Sequence, residues 1–265
     1  MVTKQKMVNL NNKKYILTSG CSFTDGFGLG ETGSWPHYLS NKLDLKLINK
    51  ARGGSGNEYI SDSIIWELMN NPNIRNEVIV GVAWSDVSRL MISTFDGENQ
   101  NLDTIQPQDF IKHSEGGSER DIEHMKCLQE FFRDIPFCVY KTYMSIVKLN
   151  HFLDSLNIPY FYIDAINPNK VSLYKDENNI SAFTIHSSLG NEINFKLEDW
   201  PHQYRYVLNE KFNKTIFKNF IKINNYNTIL EMMWTDYDKY ENGNPGHPNH
   251  LAAKEIAESI YKQII

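Results

Sequence analysis

The chain has 265 residues, 41% hydrophobic and 22% charged, with 27 basic against 32 acidic side chains for a net charge of −5. That size suits one large domain, and the composition argues against wholesale disorder. The weak acidity, with no basic cluster beyond Lys13-Lys14, points away from nucleic acid and anionic membrane as partners. Three cysteines, Cys21, Cys127 and Cys138, stand at unpatterned spacings that suggest neither a disulfide framework nor a zinc site, and a reducing compartment fits them. Residues 1–14 are polar and lack the apolar segment of a signal peptide, and the longest apolar stretch, Val78 to Trp84, is far too short to span a bilayer. A soluble, cytoplasmic protein is expected; a phage or virion-associated product would read the same.

Tyr15 to Ser19 is the first strand expected, running into the turn Gly20-Cys21-Ser22-Phe23. Ser34 is a credible N-cap, with Pro36 in the first turn of a helix reaching about Leu43. Leu45 to Asn49 alternates as a second strand and ends in a second glycine turn, Arg52-Gly53-Gly54-Ser55-Gly56-Asn57. Ile60, Ile64 and Leu68 then share one helical face until Asn70-Asn71-Pro72-Asn73 stops the helix. Val78 to Trp84 is apolar without alternation, as a central strand covered on both faces would be. Strand, helix, strand, helix, strand in this order predicts a right-handed parallel α/β sheet.

Residues 94–120 are polar and rich in Gly, Asp, Gln and Asn, and read as a lid or binding insertion. Helices are expected over about 120–134 and 136–156, then a fourth strand over Ile158 to Asp164. Residues 165–204 show no clear period and form a second insertion. Val207, Phe212, Ile216, Phe217 and Phe220 restore a helix, while Thr228 to Trp234 fits a fifth strand or a helical end equally well. The loop Asn242 to His250 leads into a closing helix from Leu251 to about Gln263. With no repeat, low-complexity tract or linker, residues 1–265 read as a single domain carrying insertions at 94–120 and 165–204.

In a parallel α/β sheet, groups that follow the strands gather at the carboxyl ends. Ser22, the Gly53–Asn57 turn, the segment from Trp84 to Arg89 and Asp164 all follow strands, so one rim should collect them. A serine hydroxyl becomes a useful nucleophile when a base, usually histidine, removes its proton, and the oxyanion formed needs fixed N–H donors. Glycine turns present such donors unshielded. On these grounds Ser22 reads either as a nucleophile or as a hydroxyl that stabilises its turn, and His247 as its base, with His250 as the alternative.

Gly20-Cys21-Ser22-Phe23 resembles the GDSL block that opens SGNH hydrolases, with Cys21 where the family has aspartate. Asn49-Lys50-Ala51-Arg52-Gly53-Gly54 resembles the second block, and His247-Pro248-Asn249 the final one, in the family's order. The resemblance implies a three-layer α/β/α sandwich around a parallel, flavodoxin-like sheet. It also implies an ester hydrolase working through an acyl-serine, with Ser22 as nucleophile, His247 as base and the N–H groups of Ser22 and Gly54 as oxyanion donors. The third block's asparagine is missing near Ala83-Trp84-Ser85, so Asn57 or Ser85 stands in for it; Asn57 also reads as a helix cap. The final block's aspartate is replaced by Asn244 and Pro245, which leaves Asp236, Asp238 or Asn244 to orient His247. Ser85 and Arg89 are candidate substrate-binding residues, the bland reading of Arg89 being a surface ion pair.

No metal or organic cofactor is expected. The Gly26-x-Gly28-x-Gly30 run misses the dinucleotide spacing, with Glu31 where a glycine is needed, and no phosphate-loop lysine follows. Polar insertions with Trp200, Tyr204 and Tyr206 suit a small-molecule or glycan ester better than a long-chain lipid. The alternatives are an O-acyltransferase using the same serine, or a non-catalytic binding or structural protein that keeps the fold.

Overall fold

The computed structural model describes residues 10–30, 32–87, 89–96, 99–105, 135–166, 172–175, 180–186, 192–196, 214–240 and 246–265. Its centre is a four-stranded sheet of β1 (Tyr15–Ser19), β2 (Lys46–Asn49), β3 (Val78–Trp84) and β6 (Tyr160–Asp164) in the order β2-β1-β3-β6. All three pairings are parallel, with Thr18 opposite Asn49, Ser19 opposite Val82 and Trp84 opposite Asp164. The four carboxyl ends therefore lie on one rim.

Alternation within these strands feeds two separate apolar layers. Leu17, Val78, Val80, Val82, Trp84, Tyr160 and Tyr162 face α3 (Asn57–Asn70) and α4 (Ile135–Ser155), which supply Ile60, Ile64, Tyr143, Ile146 and Leu153. Ile16, Ile79, Ala83, Phe161 and Ile163 face α2 (Trp35–Leu43) and α7 (His250–Ile264), which supply Trp35, Leu39, Ile256 and Ile260. This is the three-layer α/β/α arrangement the sequence predicts, and burial on both faces explains why β3 is apolar at every position. Gly81 makes room for the second layer, because a Cβ there would lie 2.5 Å from the Phe161 ring.

The two expected insertions contain regular structure. Leu90–Asp96 (β4) and Asn99–Ile105 (β5) form an antiparallel hairpin, so strand begins where a polar loop was expected. Ser172–Lys175 (β7), Ile180–His186 (β8) and Glu192–Lys196 (β9) form a three-stranded antiparallel sheet inside the stretch that showed no period. Glu192-Ile193-Asn194-Phe195-Lys196 in fact alternates strictly, the period-two signal of a strand. The expected helix over 120–134 and the aromatics Trp200, Tyr204 and Tyr206 lie outside the described residues.

The ambiguity at Thr228 resolves to helix. Ile229–Thr235 (α5) starts at Thr228, whose Oγ1 accepts from the Glu231 N–H at 2.9 Å, while the Glu231 carboxylate accepts from the Asn227 N–H at 2.7 Å. Thr228 and Glu231 have the spacing of a capping box, a start signal available in the sequence. Beside β6, among the described residues, isolated parallel bridges form, Tyr162 with Phe220 and Asp164 with Thr228. Among the described residues no helix is long and apolar enough to cross a membrane.

Candidate active site

After β1 the chain makes one helical turn, Ser22–Asp25 (α1), which leaves through Gly26 at φ 83°. Gly20 permits this tight departure: a Cβ on it would meet Thr24 Oγ1 at 2.2 Å and the Ala83 carbonyl oxygen at 3.1 Å. Ser22 is thereby held at the rim, 7% exposed, at the first position of the turn. Its Oγ lies 3.0 Å from His247 Nε2, a hydrogen bond between the two ends of the chain.

The imidazole arrives from the opposite direction, on the loop into α7. Asn249 holds that loop at three points. Its Oδ1 accepts from the Ala252 N–H at 2.9 Å, capping α7, its Nδ2 donates to the Lys239 carbonyl at 2.7 Å, and its N–H donates to the Tyr240 carbonyl at 2.8 Å. Both carbonyls belong to the single turn Tyr237–Tyr240 (α6), which Lys239 and Tyr240 pin to Glu255 of α7. Phe23 meets the His247 ring edge-on at a centroid distance of 5.5 Å, and Phe27 lies tilted against it at 4.9 Å.

The second glycine turn closes on the first. A Cβ on Gly53 would lie 4.0 Å from Ser22 Cβ, and the Gly53 N–H donates to the Asp25 carboxylate. Desolvation raises the Asp25 carboxyl above its usual range, and the bond from Gly53 offsets only part of that rise. Asn49 ties both turns to β1: its Oδ1 accepts from Thr18 Oγ1 at 3.0 Å and from the Ala51 N–H at 3.1 Å, and its Nδ2 donates to the Thr24 carbonyl at 3.2 Å. Gly54 takes φ 78°, a left-handed conformation that favours glycine. Among the described residues neither the Ser22 N–H nor the Gly54 N–H donates to a backbone acceptor.

Several expected roles need correction. Asn57 is not available as an oxyanion donor. Its Nδ2 donates to the Ser85 carbonyl at 3.1 Å and to Thr142 Oγ1 at 3.0 Å, and its Oδ1 accepts from the Ser85 N–H at 2.8 Å. Both amide hydrogens are therefore committed. Nor does it cap its helix, since the N-cap is Gly56. Asp236 and Asp238 are exposed at the end of α5 and in α6, and among the described residues neither bonds to the imidazole. Asn244 lies outside the described residues. Of the two candidate histidines the structure brings His247 to Ser22 Oγ, while His250 Nδ1 pairs with Tyr38 Oη at 3.1 Å on the α2 side. Arg89 forms no surface ion pair among the described residues; its backbone packs over Gly56 and its Nη1 is buried. Ser85 is wholly buried.

The supporting roles of Asp25, Phe27, Thr142 and Asn249 were not read from the sequence, although Asn249 belongs to the final block. Asn249 had a signal, an Asn at the position before a helix start. Thr142 had none, because only packing of α4 on α3 brings it to Asn57.

No known family's sequence profile matches the chain, and no curated protein matches it in sequence. Solved structures do match. The psychrotrophic esterase EstA from Pseudoalteromonas sp. aligns at 14% identity over 95% of this chain and 97% of its own, with a TM-score of 0.48. A member of the lipolytic G-D-S-L family from Veillonella parvula aligns at 11% identity over 94% and 97%, with a TM-score of 0.42. An acetyl xylan esterase, AlAXEase, aligns at 10% identity over 95% and 100%, with a TM-score of 0.43. The fold itself is carried by the sheet order and the two apolar layers described above.

Proposed function

We propose that this protein is a serine ester hydrolase of SGNH type that works through an acyl-serine intermediate. The observation that carries the reading is the 3.0 Å contact between Ser22 Oγ and His247 Nε2, made by residues at opposite ends of the chain and supported by separate hydrogen-bond networks.

Ser22 Oγ attacks the ester carbonyl carbon while His247 Nε2 takes the hydroxyl proton. The carbonyl electron pair moves onto oxygen, where the N–H groups of Ser22 and Gly54 receive it. Collapse re-forms the carbonyl and breaks the bond to the alcohol, whose oxygen takes the proton from the imidazolium. Water then repeats the sequence on the acyl-serine, releasing the acid and restoring Ser22. The Asn57 amide, bonded to the Ser85 carbonyl and Thr142 Oγ1, adds no third donor. An acylated small molecule or glycan is the substrate class in view.

The test is hydrolysis of 4-nitrophenyl acetate by wild type, Ser22→Ala and His247→Ala. Loss of His247 should lower kcat by about 10²–10⁴-fold, the usual contribution of a positioned base. Ser22→Ala should abolish both burst kinetics and labelling by a fluorophosphonate. Equal rates in wild type and Ser22→Ala would refute the mechanism.

A further inference from the structure

Among the described residues, three buried polar atoms beside the start of α3 have no hydrogen-bond partner: Ser55 Oγ, Ser85 Oγ and Arg89 Nη1. Their residues adjoin one another. Ser55 precedes Gly56, the N-cap of α3, and that cap carries no side-chain hydrogen bond. Ser85 is bonded through its backbone to Asn57, the first helical residue. Arg89 lies over Gly56, so that a Cβ there would be 2.6 Å from the Arg89 carbonyl oxygen and 3.5 Å from its Cβ. Ser55 is 1% exposed and Ser85 is fully buried. Among the described residues Arg89 Nη1 has no hydrogen-bond acceptor, and the Arg89 N–H donates to the Asp86 carbonyl at 3.3 Å.

A buried guanidinium donor without an acceptor is costly, more so than a neutral one. Two hydroxyls and the positive end of a fourteen-residue helix lie beside it, and Glu58 in the first turn of that helix is paired with Lys141. We infer that Arg89, with Ser55 and Ser85 at the start of α3, receives a carboxylate carried on the acyl portion of the ester. The inference rests on the ester-hydrolase reading of Ser22 and His247.

The layers decide which part of the ester is charged. His247 packs on Phe23, which belongs to the α7-side layer, and α3 lies on the other face. The alcohol must leave toward His247, which protonates it, so the acyl chain extends toward α3. Gly54, the oxyanion donor, precedes Gly56 by two residues, a reach of at most about 7 Å. A charge only a few bonds from the ester carbonyl fits that distance, as in a succinyl ester.

The experiment compares 4-nitrophenyl hemisuccinate with its neutral analogue, 4-nitrophenyl butyrate, on wild type, Arg89→Ala and Arg89→Gln. Each rate is corrected for the ester's reactivity in buffer. Wild type should favour the hemisuccinate in kcat/KM, and both variants should lower the hemisuccinate-to-butyrate ratio by about tenfold or more. In parallel, binding of monomethyl succinate is measured by calorimetry on Ser22→Ala and on Ser22→Ala/Arg89→Ala. It should be detectable in the first and lost in the second. Ratios unchanged by both Arg89 substitutions, or equal binding to the two proteins, would overturn the anion site. Ser22-independent hydrolysis would instead refute the hydrolase reading, while the calorimetry still decides whether Arg89 binds the carboxylate.

Discussion

Asn57 grips Ser85 from both sides, accepting its N–H at 2.8 Å and donating to its carbonyl at 3.1 Å. This pair fixes the end of β3 to the start of α3, and Thr142 completes it from α4. Asn57→Ala leaves buried backbone groups unpaired and should cost about 2–3 kcal/mol of stability. Asn57→Asp should be at least as damaging at neutral pH, since a carboxylate cannot donate to the Ser85 carbonyl. Thermal unfolding of the two variants checks this. A variant with unchanged Tm and a large loss in kcat would mean that Asn57 serves the reaction directly.

Gly54 should separate stability from catalysis. At φ 78°, alanine costs about 1–2 kcal/mol in backbone strain. If that N–H receives the oxyanion, its displacement lowers kcat by about 10²–10³-fold, far beyond the effect on folding. Denaturation and steady-state kinetics on Gly54→Ala measure both. A fall in kcat no larger than the loss of folded protein would remove Gly54 from the oxyanion site.

Gly20→Ala belongs to a different class, because its Cβ has nowhere to go between Thr24 and the Ala83 carbonyl. The expected outcome is a strong drop in Tm or insoluble expression, as overpacking costs about 1–3 kcal/mol or more. A soluble variant of wild-type Tm would show that the turn can open without penalty.

Asn249→Ala removes the cap of α7 and the bond to the Lys239 carbonyl. Loss of such a cap costs about 1 kcal/mol. Because the same residue anchors the loop carrying His247, kcat should fall while KM changes little. Asn249→Asp keeps the cap but not the donation to Lys239, so it should recover Tm more fully than kcat.

Asp25 links pH to stability. Its carboxyl is raised in the folded protein, so folding favours the protonated form. That contribution is complete below the unfolded value of about 3.9 and is lost as pH rises through the folded value. Asp25→Asn keeps an acceptor for the Gly53 N–H and has no proton to lose. Its Tm relative to wild type should therefore improve as pH rises from about 3 to 7, then level off. A difference independent of pH would contradict the linkage.

Much of the sheet was legible because burial on both faces demands uninterrupted apolar residues, which Val78–Trp84 supplies, and because glycine marks the turns after β1 and β2. The hairpin Leu90–Ile105 was not, since its second strand, Asn99–Ile105, is mostly polar and is defined by pairing with the first. The strand Glu192–Lys196 could have been found from its alternation. Thr228 could have been assigned from its capping glutamate.

The sequence by itself determined the parallel α/β class, the glycine turns, and the candidacy of Ser22 and His247, since each depends on local chemistry and order along the chain. Tertiary structure decided the rest. It brought Ser22 Oγ to 3.0 Å from His247 Nε2, spent Asn57 on Ser85 and Thr142, turned His250 toward Tyr38, and buried Arg89 Nη1 at the start of α3. The physical reason is that a side-chain amide, imidazole or guanidinium takes its role from the groups within hydrogen-bond distance. For these residues most such groups come from elements far away in the chain.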